Sequence, residues 1–221
     1  MRKEFERYRR KDGERMIPVL VMGKSGSGKT YSIKNFKADE VGVISVEKGR
    51  LPFKSDIKVA KIPKAFPDVK DYAQLHRCRY AWLLKAIETS KCKSIVIDDS
   101  QYLLANELFD RANEKGYDKF TQMALNFRGL IHSINESDIE DKIVYFLHHT
   151  EIDTDGREKA KTIGKMLDEK LTVEGCFDIV LYCSDHKFYT QSNGQSTAKT
   201  PEEMFDLEIP NDLKAVDAAI R

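Results

Sequence analysis

Apolar residues fall along this chain in short dense runs separated by amphipathic stretches, an alternation that predicts strands and helices in turn. Residues 17–22 (IPVLVM) form a continuous apolar run rich in β-branched side chains, which predicts a buried strand. A glycine-rich segment follows, then a helix to about Phe36. Residues 41–46 (VGVISV) read as a second strand and 57–60 as a third. Across 68–89, Val69, Tyr72, Leu75, Trp82, Leu83, Ala86 and Ile87 recur at helical spacing, so a long amphipathic helix is predicted with Trp82 in its core face. Residues 94–98 (SIVID) make another buried strand, 101–113 and 120–134 two helices split by the polar EKGYDK, and 142–148 the next strand. Residues 151–165 have no hydrophobic period and are too long for a tight connection, which predicts a mobile loop. Two strand-like runs, 177–183 and 187–191, flank a Ser-Asp-His turn and predict a hairpin, and a small helix closes the chain near 213–220. The expectation is an α/β fold: a mostly parallel sheet with flanking helices and a C-terminal β-hairpin. It divides into a basic segment 1–16, a core 17–200 and an acidic tail 201–221 with a short helix.

With 221 residues, 41% hydrophobic and 33% charged, the chain suits one globular domain. A formal net charge of +1 gives no whole-molecule case for a polyanionic partner, so local charge has to carry that question. Cys78, Cys92, Cys176 and Cys183 show neither metal-ligand spacing nor a nucleophile signature, and read as thiols in a reducing compartment. The opening MRKEFERYRRKDGER lacks the apolar core of a secretion signal and no run approaches membrane-spanning length, so a cytoplasmic protein without a membrane role is expected.

One segment changes the picture. Gly23-Lys24-Ser25-Gly26-Ser27-Gly28-Lys29-Thr30 matches G-x-x-x-x-G-K-[ST] in full, between a predicted strand and a predicted helix. The glycines let backbone N–H groups converge on an anion, Lys29 adds charge for β- and γ-phosphates, and the Thr30 hydroxyl is a magnesium ligand. These residues predict binding of ATP with Mg²⁺. The run Ile95-Val96-Ile97-Asp98-Asp99-Ser100 places acids at a strand end, where Asp98 is expected to hold magnesium through water. Two residues compete to orient the attacking water for ATP hydrolysis. Glu47 ends the second strand and is preferred; Asp99 follows the magnesium acid, where many ring ATPases carry a glutamate, but its side chain is shorter.

This order of parts resembles the RecA-like recombinase ATPase core, and within it the short phage-encoded RecA-like ATPases, some of which anneal single strands. The resemblance covers about residues 18–199 and rests most on GKSGSGKT, VISVEKG, SIVIDDS and FLHHTEIDTDGREKAKTIGKMLDEK. It implies a RecA-like P-loop NTPase core that hydrolyses ATP and acts in DNA recombination. It implies a γ-phosphate-sensing residue at His149, with His148 as competitor, where recombinases proper usually carry glutamine. It further implies homo-oligomers, single-stranded DNA as partner, and replication or recombination proteins as further partners.

In that family two loops meet the single strand, here 112–120 and 151–165. The second offers Arg157, Lys159 and Lys161 as DNA-binding residues, and Lys165, yet Glu151, Asp153, Asp155 and Glu158 bring its net charge to zero. Basic excess is clearer in 48–64 and at Arg7, Arg9, Arg10 and Lys11, while Tyr117 and Phe120 are aromatics suited to base stacking. Two other classes stay open: a partner-remodelling ATPase such as a helicase loader or assembly switch, and a small-molecule kinase, which would need an arginine lid.

Overall fold

The computed structural model describes residues 16–47, 49–168 and 171–221; the basic residues read at the N-terminus lie outside the described residues. Its centre is an eight-stranded sheet in the order β10-β9-β8-β1-β5-β4-β2-β3. The strands are β1 (Ile17–Met22), β2 (Val41–Ser45), β3 (Val59–Lys61), β4 (Ser94–Asp98), β5 (Ile143–His148), β8 (Ile179–Ser184), β9 (Lys187–Tyr189) and β10 (Glu208–Pro210). From β8 to β3 all pairings are parallel, and β9 and β10 are added antiparallel at one edge.

The central strands are apolar throughout because both faces are covered. On β1, Leu20 and Met22 face one core while Val19 and Val21 face the other. The first core is roofed by α1 (Tyr72–Thr89), α2 (Tyr102–Asp110) and α3 (Asp118–Asn135), which contribute Leu83, Leu104 and Phe127. Asp71 caps α1 by accepting from Gln74 N–H, which starts the helix four residues inside the predicted span. The second core is covered by α5 (Leu213–Ile220), whose Leu213 and Val216 are buried, and by Ile33, Phe36 and Ile57. Residues 201–221 therefore complete both the sheet and its second face.

Two predicted elements differ in the structure. The helix expected after the glycine-rich segment is a 3₁₀ turn, Thr30–Ile33. Lys34 and Phe36 N–H groups bond three residues back, and Ser32 Oγ donates to Lys29 O at 2.5 Å, competing for a carbonyl a longer helix would use. The mobile loop expected at 151–165 is instead an antiparallel hairpin of β6 (Thr150–Ile152) and β7 (Glu158–Ala160), followed by a one-turn α4 (Lys165–Asp168). Asp153 closes its turn by accepting from the N–H groups of Asp155 and Arg157.

Among the described residues no helix is long and apolar enough to cross a membrane.

Candidate nucleotide site

The sheet places the phosphate-type loop at its middle. Because β5 separates β1 from β4, the loop leaving β1 and the acids ending β4 face one another at the carboxyl end of the sheet. There Thr30 Oγ1 donates to Asp98 Oδ1 at 2.8 Å. Lys29 is buried and curls back into its own loop, donating to Gly23 O at 2.6 Å and Lys24 O at 2.8 Å. The first and last glycines of the loop leave no room for a side chain. A Cβ on Gly23 would strike Cys183 O, and Gly28 has a φ of +106° with Asn211 Nδ2 and His186 Nδ1 packed against it.

Burial raises the Asp98 carboxyl above its usual value, and the neighbouring Asp99 charge adds to that, while the Thr30 hydrogen bond and Lys29 oppose it. A magnesium ion would reverse this balance. The donor set fits such an ion: a hydroxyl and a carboxylate oxygen are hard ligands, suited to magnesium that takes its remaining ligands from phosphate and water. Among the described residues no group of three His, Cys, Asp or Glu forms a self-sufficient metal cage. The loop fits a phosphate chain equally well, with the Lys29 ammonium inside it and the buried Ser27 Oγ without a partner among the described residues.

The two acids considered for water orientation have different surroundings. Glu47 is exposed two residues beyond β2, where Asn106 Nδ2 approaches its Oε2 at 3.4 Å. Asp99 is buried in a left-handed backbone conformation, φ +61°, with Oδ1 3.3 Å from His149 Nε2. The histidines also separate. His148 is fully buried, its Nδ1 2.9 Å from Ser100 Oγ and its Nε2 2.8 Å from Lys161 O, and burial pulls its pKa down to about 4. Since a carbonyl can only accept, Nε2 carries the proton and Ser100 donates to Nδ1. His149 stands at the strand end beside Asp99, with the Tyr102 ring edge-on at 6.4 Å.

Among the predicted DNA-contacting residues, Arg157 pairs with Asp153 and Asp155, and Lys159 pairs with Glu151 and Asp168. Lys161 is exposed. Tyr117 is 71% exposed, whereas Phe120 packs against the first core.

The structure adds residues that sequence reasoning passed over. The β8–β9 connection is a two-residue turn with Asp185 and His186 at φ +49° and +58°, a geometry that usually demands glycine or asparagine. His186 N–H and Cys183 Sγ both donate to Ser27 O, and Asn211 Nδ2 donates to Gly28 O at 3.0 Å. On the other flank Lys24 Nζ lies 2.7 Å from Glu158 Oε1. These partners are 134 to 183 positions from the loop residues they touch, and only the short Asp155-Gly156 turn signal hinted at the hairpin that carries Glu158.

Residues 15–207 match the family model described as AAA domain. This chain belongs to that AAA domain family. No curated protein matches it. The AAA domain, the parallel sheet and the Lys29–Thr30–Asp98 arrangement together make this a nucleotide-binding, P-loop ATPase-type protein.

Proposed function

We propose that this protein is a magnesium-dependent ATPase of the RecA-like type that works on single-stranded DNA in phage-style recombination, as a homo-oligomer. The observation that carries the reading is the placement of hairpin β6–β7. It grows directly out of β5, the strand that flanks the phosphate loop, since Gly23 N–H donates to His148 O at 3.1 Å. Three basic residues fall on it or directly after it within five positions, Arg157, Lys159 and Lys161.

In this reading the loop amides and Lys29 hold the phosphates, while Thr30 and Asp98 hold magnesium, whose charge offsets that of the phosphates. Glu47 orients water, being exposed and, among the described residues, engaged by the long Asn106 contact alone. Asp99 positions His149, which reports the terminal phosphate. His148 is a structural link whose two nitrogens are both committed.

The test is ATP hydrolysis measured with and without single-stranded DNA. Stimulation supports the reading. A second reading, a partner-remodelling ATPase, is favoured by the ion pairs that occupy Arg157 and Lys159. Absence of both stimulation and strand binding with ATP at low salt would put that reading first, and pulldown of a replicative helicase would identify the partner.

A further inference from the structure

The loop contains a second lysine that the motif does not require. Lys24 follows Gly23 directly, and its carbonyl accepts from Lys29 Nζ at 2.8 Å. Its backbone therefore stands beside the ammonium that serves the β- and γ-phosphates. Its side chain turns outward, with Nζ 2.7 Å from Glu158 Oε1. The two partners are unlike in exposure: the Lys24 side chain is 64% exposed and that of Glu158 only 8%.

Glu158 is the more demanding partner. Its Oε2 is buried and has no hydrogen-bond partner among the described residues. A buried carboxylate is costly unless paired, and here the ion-pairing cation reaches in from solvent. Glu158 cannot follow a moving lysine by itself. Its N–H donates to Gln195 O at 2.7 Å and its O accepts from Thr197 N–H at 3.0 Å, which fixes β7. Downstream on the same segment, Lys161 N–H donates to His149 O and Lys161 O accepts from His148. The Lys24–Glu158 pair is thus a direct side-chain link between the phosphate loop and the hairpin.

We propose that Lys24 is a second phosphate-binding lysine, held on Glu158 until the terminal phosphate of a nucleoside triphosphate draws it into the loop, and that its departure loosens hairpin β6–β7. The inference rests on the nucleotide reading given above. A terminal phosphate is a stronger anion than one carboxylate oxygen, and one bound by the Lys29 ammonium would lie near Lys24, whose carbonyl that ammonium touches, whereas a diphosphate would lack the group. Once Lys24 leaves, Glu158 is a buried charge without a cation, and the hairpin must open to hydrate it. The exchange therefore distinguishes triphosphate from diphosphate and passes the difference to the segment bearing Arg157, Lys159 and Lys161. Coupling of this kind is reciprocal, so whatever holds the hairpin open also tightens triphosphate binding.

The test uses the full chain, with calorimetric affinities for Mg-ADP and Mg-ATPγS and amide exchange across 150–160. Wild type should bind both, with faster hairpin exchange under ATPγS than under ADP. Lys24→Ala should reduce the triphosphate-to-diphosphate affinity ratio about tenfold, the scale of one charge-assisted hydrogen bond. Glu158→Gln, nearly isosteric, should raise that ratio a few-fold and make hairpin exchange independent of the nucleotide. An unchanged ratio in both variants, or hairpin exchange in wild type that ignores the nucleotide, overturns the inference alone. A wild type that binds neither nucleotide overturns the nucleotide reading and this inference with it.

Discussion

Thr30 and Asp98, 68 residues apart, share a 2.8 Å hydrogen bond at the carboxyl end of the sheet. The contact depends on strand order: β4 must lie beyond β5 for its terminal acid to meet the first residue after the loop lysine. Asp98→Asn keeps an acceptor for Thr30 but removes a charge that burial disfavours. The folded chain holds the Asp98 proton more tightly than the unfolded chain, so wild type loses stability as pH rises from about 4 through the raised pKa. At neutral pH the asparagine variant should therefore melt higher than wild type without nucleotide. It should also bind ATP with a weaker dependence on magnesium; thermal melts and a magnesium titration check the two halves.

Lys29→Ala should leave the fold intact and remove most triphosphate affinity. Hydrogen bonds to charged groups are worth about 1.5–3 kcal/mol each, so at least a tenfold loss is expected by calorimetry. Unchanged Mg-ATP binding would take the loop out of the site.

Glu47→Gln should keep ATP binding and cut turnover by at least about a hundredfold, the scale of losing a general base. Asp99→Asn should cost less, by loosening His149 rather than removing the base. Single-turnover rates for the two variants, measured together, decide the order. A reversal would give the water-orienting role to Asp99, as in ring ATPases.

His148 makes stability depend on mild acid. Its pKa falls from 6.5 to about 4 on folding because burial disfavours the imidazolium. The unfolded chain takes up the proton first, so stability is complete above about pH 6.5 and declines as pH falls toward 4. Between pH 6.5 and 5 this amounts to about 2 kcal/mol. Burial lowers the His76 pKa as well, so that residue adds to the decline. Urea denaturation of His148→Gln at pH 5 and 7 should show a flatter dependence, with the His76 part remaining.

For the hairpin, changing Arg157, Lys159 and Lys161 together to alanine should weaken single-strand binding and flatten its salt dependence, by up to about 0.7 of a slope unit for each phosphate no longer neutralised. Lys161→Ala alone should account for most of the effect, because the other two bases are held by acids. Filter binding across a salt series measures both. Equal affinity and slope in the triple variant would remove the hairpin from any strand-binding role.

The strands β1, β4 and β5 were legible because burial on both faces leaves uninterrupted apolar runs. The meeting of Thr30 with Asp98 was legible because a loop after one buried strand and an acid ending another both fall at the carboxyl end of a parallel sheet. The 3₁₀ turn was not, since its length is limited by Ser32 back-bonding and by long-range ties to α5 and its cap, Asn35 to Asp212 and Glu40 to Lys214. Hairpin β6–β7 escaped notice because each strand is three residues long, too short to show alternation. Its turn, Asp153-Thr154-Asp155-Gly156, was the available signal. Glu158 read as one more acid offsetting nearby bases; its pairing with Lys24 exists only once β7 is brought beside the loop that follows β1.

The clamp that Asn211 places on Gly28 O also has a consequence for how the protein is made. Gly28 leaves the ribosome 183 residues ahead of the side chain that holds its carbonyl. While the ribosome still covers β10 and α5, β1 to β8 can assemble, but Gly28 lacks its restraint and the second core lacks Leu213 and Val216. The loop's last restraint is therefore in place only once synthesis has passed Asn211, and a nascent chain halted before it carries a sheet with an unfinished loop.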